Sequence, residues 1–93
     1  MLEEGLIVFY TTHDAIKSDD TLLKKNINAS LIPTHPSVSL GCGFMLKTSW
    51  QNFANVIKVL DDENIEYRAL YYSTKERITR KTTLLYENKN RKE

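Results

Sequence analysis

The sequence is poor in three residue types that mark specialised protein classes, with one cysteine, three glycines and two prolines among 93 residues. A single cysteine cannot form an internal disulfide, which excludes a disulfide-stabilised secreted domain and is typical of a reducing compartment. Three glycines cannot supply a phosphate-binding Walker loop or a dinucleotide fingerprint. One cysteine and two histidines without ligand spacing do not make a zinc motif. We therefore expect no metal site and no cofactor.

Long hydrophobic runs are also missing, since no apolar stretch approaches the ~20 residues that a membrane span needs. The short apolar stretch near the start follows Glu3 and Glu4, where a signal peptide carries basic residues. We accordingly place the protein in the cytoplasm. The hydrophobic fraction of 41% and charged fraction of 27% are those of an ordinary globular protein.

Charge is unevenly distributed along the chain. Residues 75–93 contain seven basic and three acidic residues, a net charge of +4, which leaves −3 for residues 1–74. We predict one α+β domain over 1–74 and a basic C-terminal extension over 75–93, either partly disordered or forming an added edge strand. The extension could dock an acidic partner, but its one aromatic residue, Tyr86, does not favour nucleic-acid binding.

Hydrophobic periodicity and cap residues predict four strands, over 5–11, 29–33, 38–47 and 65–72, and two helices, over 12–26 and 50–63. Asn26 and Asn64 suit the left-handed residue that ends a helix. In the last strand we expect the side chains of Ile65, Tyr67, Ala69 and Tyr71 to share one face. Residues 78–86 are compatible with a further edge strand.

The predicted order, β-α-β-β-α-β, is that of a ferredoxin-like fold: a four-stranded antiparallel sheet with two helices on one face. Within it we expect the first and third strands to run parallel. The other face should then be solvated or covered by a partner. The aromatic residues Tyr67, Tyr71 and Tyr72 suggest a homodimer across that face.

Cys42 is the main chemical feature of the sequence, because it lies between Gly41 and Gly43. Glycines have no side chain, so another protein can approach the sulfur closely. A thiol reacts as its thiolate, so a reactive cysteine also needs surroundings that lower its pKa. However, Cys42 also alternates in phase with Val38 and Leu40, as a small buried hydrophobic residue would. The pattern alone leaves a structural and a functional role open.

The two histidines do not complete a catalytic set. His35 lies in the loop that leads to Cys42 and is the nearer neighbour in sequence. If the first and third strands run parallel, His13 lies far from the thiol. Neither histidine has a clear carboxylate to orient it, so a carrier or binding protein is favoured over a self-sufficient enzyme.

Three segments together resemble the selenium/sulfur carrier-like family of small bacterial proteins. They are 8–15 (VFYTTHDA), 31–34 (LIPT) and 39–43 (SLGCG), and they fall within residues 5–72. The last segment, following the proline-threonine pair, is the most specific of the three.

The resemblance implies a persulfide or perselenide carrier, in which Cys42 accepts sulfur or selenium from a donor protein and passes it to an acceptor protein. It implies that Thr11, Thr12 and His13 belong to the same surface. Gly41, Gly43, Ser39 and His35 are further candidate binding residues, because they flank or lead to the thiol in the sequence. The alternative is a ferredoxin-like small-molecule-binding, regulatory or protein-interaction module in which Cys42 is structural.

Overall fold

The computed structural model describes residues 2–34 and 43–88, and in these ranges the chain forms five strands and two helices. In chain order the elements are β1 (Leu2–Val8), α1 (Thr12–Lys24), β2 (Ser30–Pro33), β3 (Phe44–Ser49), α2 (Trp50–Asp62), β4 (Ala69–Glu76) and β5 (Thr79–Glu87). The fold is α+β with two helices, as predicted. The predicted strand number of four is wrong, because β5 adds a fifth. No helix in the described part is long and apolar enough to cross a membrane.

The sheet has the strand order β2-β3-β1-β4-β5, and all neighbouring strands are antiparallel. The prediction that β1 and β3 run parallel is therefore wrong. After β1 the chain crosses through α1 to β2, and β3 then turns back to fill the space between β1 and β2. This insertion places the last residue of β1, Val8, opposite Met45 near the start of β3.

Both helices end on an asparagine in the left-handed conformation, with φ of 58° at Asn26 and 57° at Asn64. The amide of Ile27 donates to the carbonyl of Leu22 at 2.9 Å, and an equivalent bond follows α2. This pattern satisfies carbonyl groups that the helix itself leaves without partners. The predicted role of both asparagines is confirmed.

The helices cover one face of the sheet and enclose the larger core cluster. Its buried members are contributed by β1 and the residue after it, β3, both helices and the segment after α2: Ile7, Phe9, Ala15, Leu22, Leu46, Phe53, Val56, Leu60 and Ile65. Alternate residues of a strand point to opposite faces, so the neighbours of Ile7 within β1 face away from the helices.

The helix-free face carries a second buried cluster. Leu6, Val8 and Met45 are fully buried there and pack with Ala69 and Tyr71. The expectation that this face is solvated or covered by a partner is thus wrong at its centre, which is buried within the single chain.

The prediction that the side chains of the last strand, from Ile65 to Tyr71, share one face is also wrong. β4 begins only at Ala69. Ile65 and Tyr67 precede it and pack on the helix side, whereas Tyr71 belongs to the opposite cluster. Tyr72 lies on the helix side too, with its ring against Trp50. The three tyrosines therefore do not form one open aromatic patch.

A buried ion cluster connects β5 to the centre of the sheet across β4. The Arg80 guanidinium donates to the Glu4 carboxylate and to the Ser73 hydroxyl, each at 2.8 Å. The Lys47 ammonium lies 3.7 Å from the same carboxylate. Because Glu4 and Ser73 are buried, this cluster fixes β5, which lies in the basic segment 75–93, to β1.

Candidate functional site

One end of the sheet brings together most of the described residues that the sequence marks for function. Val8 ends β1, where it pairs with Met45 of β3 and Ala69 of β4. The amide of Arg68 donates to the carbonyl of Val8 at 2.6 Å. The residues after Val8 therefore lie beside those that precede β3 and β4. We call this end, formed by residues 9–13, 34, 43, 67–68 and 88, the site end.

The amino terminus of α1 forms part of the site end. The Thr11 hydroxyl caps the helix by accepting the amide of Asp14 at 3.1 Å, as the spacing of these two residues predicts. The amides of Thr12 and His13 belong to the first turn, where no helical carbonyl can reach them, and the helix dipole adds partial positive charge. All three residues of the segment 11–13 are exposed. This surface suits an anionic group.

Gly43 forms the opposite side of the site end, immediately before β3. Its φ of 97° is a conformation that L side chains rarely adopt, and a Cβ built on it would meet no atom within 4 Å among the described residues other than its chain neighbours. Its carbonyl accepts the amide of Thr34 at 2.9 Å. Within the described ranges the buried hydroxyl oxygen of Thr34 has no hydrogen-bond partner. The backbone conformation therefore favours glycine at position 43.

The predicted site residues divide into two groups. Thr11, Thr12, His13 and Gly43 are described and share the site end. The antiparallel β1–β3 pair removes the reason for expecting His13 to lie far from the thiol, because it puts His13 and Gly43 at the same end of the sheet. The distance from His13 to Cys42 itself involves a residue outside the described ranges and stays a prediction. The other predicted residues, His35, Ser39, Gly41 and Cys42, lie outside the described residues.

Three residues at the site end were not identified from the sequence. The Tyr10 hydroxyl donates to the carbonyl of Asn88 at 2.7 Å, and the Arg68 guanidinium carbon lies 5.7 Å from the centre of the Tyr10 ring. The amide of Asn88 donates in turn to the carbonyl of Arg68 at 2.8 Å. The contact between Tyr10 and Asn88 joins positions 78 residues apart, so it depends on the pairing of β4 with β5 and leaves no local signal in the sequence. Arg68 adds a cation to this end of the sheet.

Comparison with known protein families gives one result. A family model described as "Putative Se/S carrier protein-like" matches residues 4–72. The match covers β1 through the first half of β4 and includes the site end except for Asn88. The family suggested by the three sequence segments is confirmed. Searches of curated proteins and of solved structures gave no significant match.

Proposed function

We propose that this chain, which belongs to the Se/S carrier protein-like family, carries a sulfur or selenium atom on the thiol of Cys42. The family model matches residues 4–72, well over half of the chain, and this family membership is the observation that carries the proposal. The chain's single cysteine is the group that can bind a chalcogen covalently.

The transfer needs a thiolate and no external oxidant. The Cys42 thiolate attacks the outer sulfur of a persulfide on a donor protein, R–S–SH. A new S–S bond forms at Cys42, the donor S–S bond breaks, and the donor cysteine leaves as its thiolate. The outer sulfur keeps its proton and oxidation level. An acceptor thiolate repeats the exchange, and selenium follows the same course when it replaces the outer sulfur.

The described part of the site end supports this chemistry in two ways. Gly43, the residue bonded to Cys42, is exposed and has no side chain, which favours the approach of a second protein. The amino terminus of α1 and the guanidinium of Arg68 supply positive potential, which lowers the pKa of a nearby thiol and so raises its thiolate fraction. A carrier needs no base or orienting carboxylate, because the exchange occurs through one sulfur.

We further propose that the first four strands and two helices correspond to a ferredoxin-like unit and that β5 is an addition to its edge. We propose a cytoplasmic location, where thiols stay reduced. The homodimer remains a prediction, and light scattering at high protein concentration tests it.

Mass spectrometry tests the proposal directly. The full chain is incubated with a cysteine desulfurase and free cysteine, and a known persulfide acceptor serves as the positive control. We expect a mass gain of one sulfur atom that maps to Cys42 and is lost with dithiothreitol. The variant Cys42→Ser should gain nothing. A loaded control acceptor beside an unmodified chain would refute sulfur carriage.

Thiol alkylation separates the carrier from a module in which Cys42 is structural. A carrier thiol should react in the native protein at a rate similar to that in denaturant. A core thiol reacts through the unfolded fraction, which is about 10⁻³ to 10⁻⁶ of the molecules, and should be slower by roughly a thousandfold or more. Such protection would contradict the proposal.

A further inference from the structure

A cavity of about 330 Å³ opens beside the carboxyl end of α2. The described residues that line it combine acidic, amide and aromatic side chains with one aliphatic residue, and none of these described residues is basic: Asp61, Asn64, Ile65, Glu66, Tyr67, Tyr86 and Asn88. Its volume is near the lower limit of small-ligand sites, about 300 Å³, which is enough for a single side chain or a small molecule. We call it the α2 pocket.

The electrostatics of the α2 pocket favour a cation. Asp61 and Asp62 lie in the last turn of α2 and Glu63 caps it, whereas this turn has no basic residue. A helix carboxyl end already carries partial negative charge, so acidic residues there are unfavourable. Within residues 2–34 and 43–88, none of these three carboxylates forms an ion pair.

The end of α1 shows the usual arrangement and makes the contrast clear. Lys24 lies in its last turn and pairs with Asp20 at 3.1 Å. The carboxyl end of α2 instead carries three carboxylates that form no ion pair within the part of the chain that the structure describes. Local departures of this kind are typical of functional surfaces.

Two aromatic rings complete the α2 pocket. Tyr67 and Tyr86 pack edge to face, with ring centroids 6.0 Å apart and an angle of 85° between the ring planes. The Tyr67 hydroxyl donates to a carboxylate oxygen of Asp61 at 3.2 Å. Burial, and then the charge of Asp61, raises the pKa of Tyr67 to about 12, so its phenol stays neutral at ordinary pH. The face of an electron-rich ring beside a carboxylate attracts organic cations.

We propose that the α2 pocket binds the guanidinium or ammonium group of a basic side chain presented by a partner protein. Asn88 lines the pocket and also accepts the Tyr10 hydroxyl, so the pocket adjoins the site end. A protein docking at the site end can therefore reach it with a side chain. The inference concerns binding alone and does not depend on Cys42.

The test is an NMR titration of the full chain with the blocked peptide acetyl-Gly-Arg-Gly-amide. We expect saturable shifts of the amide signals of Asn64, Tyr67 and Tyr86. The variant Asp61→Asn should weaken binding about tenfold, because a charge-assisted contact is lost. The variant Tyr86→Leu should weaken it about two- to fivefold, through loss of the ring.

Two matched comparisons decide the outcome. Asp62→Asn removes the same charge from the adjacent, non-lining position and should change binding less than twofold. A peptide with citrulline in place of arginine, which lacks the charge, should not bind. Equal weakening by Asp61→Asn and Asp62→Asn, or equal binding of the citrulline peptide, would overturn the proposal.

The source of the cation is tested with agmatine, a free guanidinium compound. Tighter binding of agmatine than of the peptide would overturn the assignment to a partner side chain. The variant Cys42→Ser should bind the peptide like the unchanged protein, whether or not it carries sulfur. Failure of the cation proposal is therefore distinguishable from failure of the carrier proposal.

Discussion

The variant Gly5→Ala tests how closely α2 packs on the central strand. A Cβ at Gly5 would lie 2.0 Å from Cδ1 and 2.5 Å from Cγ of the Phe53 ring. Carbon atoms in favourable contact are about 3.5–4.0 Å apart, so the ring must move by roughly 1.5 Å. Phe53 is only 8% exposed and stacks on Trp50, with ring centroids 5.3 Å apart, which restricts that movement.

Overpacking of this kind typically costs about 1–3 kcal/mol, and we expect Gly5→Ala near the upper end because three ring atoms are contacted. Each kcal/mol lowers Tm by about 4–8 °C in a domain of 60–100 residues. The melting temperature should therefore fall by roughly 10–20 °C. Urea denaturation followed by circular dichroism measures the free energy of unfolding. The fluorescence of Trp50, the single tryptophan, reports the displacement of the ring.

A double-mutant cycle isolates the contact with Phe53. In the Phe53→Ala background the ring is absent, so the added methyl group at position 5 meets a cavity and should be neutral or stabilising. The reasoning is refuted if Gly5→Ala costs less than about 0.5 kcal/mol, or if it costs the same with and without the ring.

The variant Arg80→Ala should cost about 2–3 kcal/mol in urea denaturation, below the full penalty for an unpaired buried charge because Lys47 still lies 3.7 Å from the Glu4 carboxylate, while the pair Glu4→Leu with Arg80→Met should recover most of that loss. In an alkaline absorbance titration Tyr67 should ionise near pH 12, and Asp61→Asn should lower its pKa only partly, since burial is the larger cause. Because the folded-state pKa is raised above the ordinary tyrosine value of 10.0, the stability that Tyr67 contributes is complete below pH 10 and lost as pH rises to about 12. Gly43→Ala should cost about 1–2 kcal/mol through backbone strain, and Gly43→Asn less, as melting temperatures will show.

Features set by local chemistry were predictable from the sequence. The helix starts follow from hydroxyl caps at Thr11 and Ser49, each of which accepts an amide three residues later. The helix ends follow from Asn26 and Asn64, because asparagine tolerates the left-handed conformation better than most residues. Each of these signals lies within a few positions of the structure it determines.

Features set by pairing between distant segments were not predictable in the same way. β1 was expected over 5–11 but covers Leu2–Val8, since Glu4 becomes an interior position once Arg80 of β5 pairs with it. The sequence predicts β4 over 65–72, but the strand covers Ala69–Glu76. Ile65 instead closes the end of α2, because its amide donates a hydrogen bond to the carbonyl of Leu60. A period of two cannot distinguish a strand from such a helix ending.

The direction of β3 has the largest functional consequence. If β1 and β3 were parallel, the segments 8–15 and 39–43 would lie at opposite ends of the sheet. The two segments could not then contribute to one site. With the observed antiparallel pair, Thr11 and Gly43 lie at the same end, beside Arg68. A carrier thiol needs open approach and positive potential more than it needs a base. Among the described residues this end holds the exposed amino terminus of α1 and the guanidinium of Arg68, so under the proposed function their positive potential would favour the thiolate of Cys42.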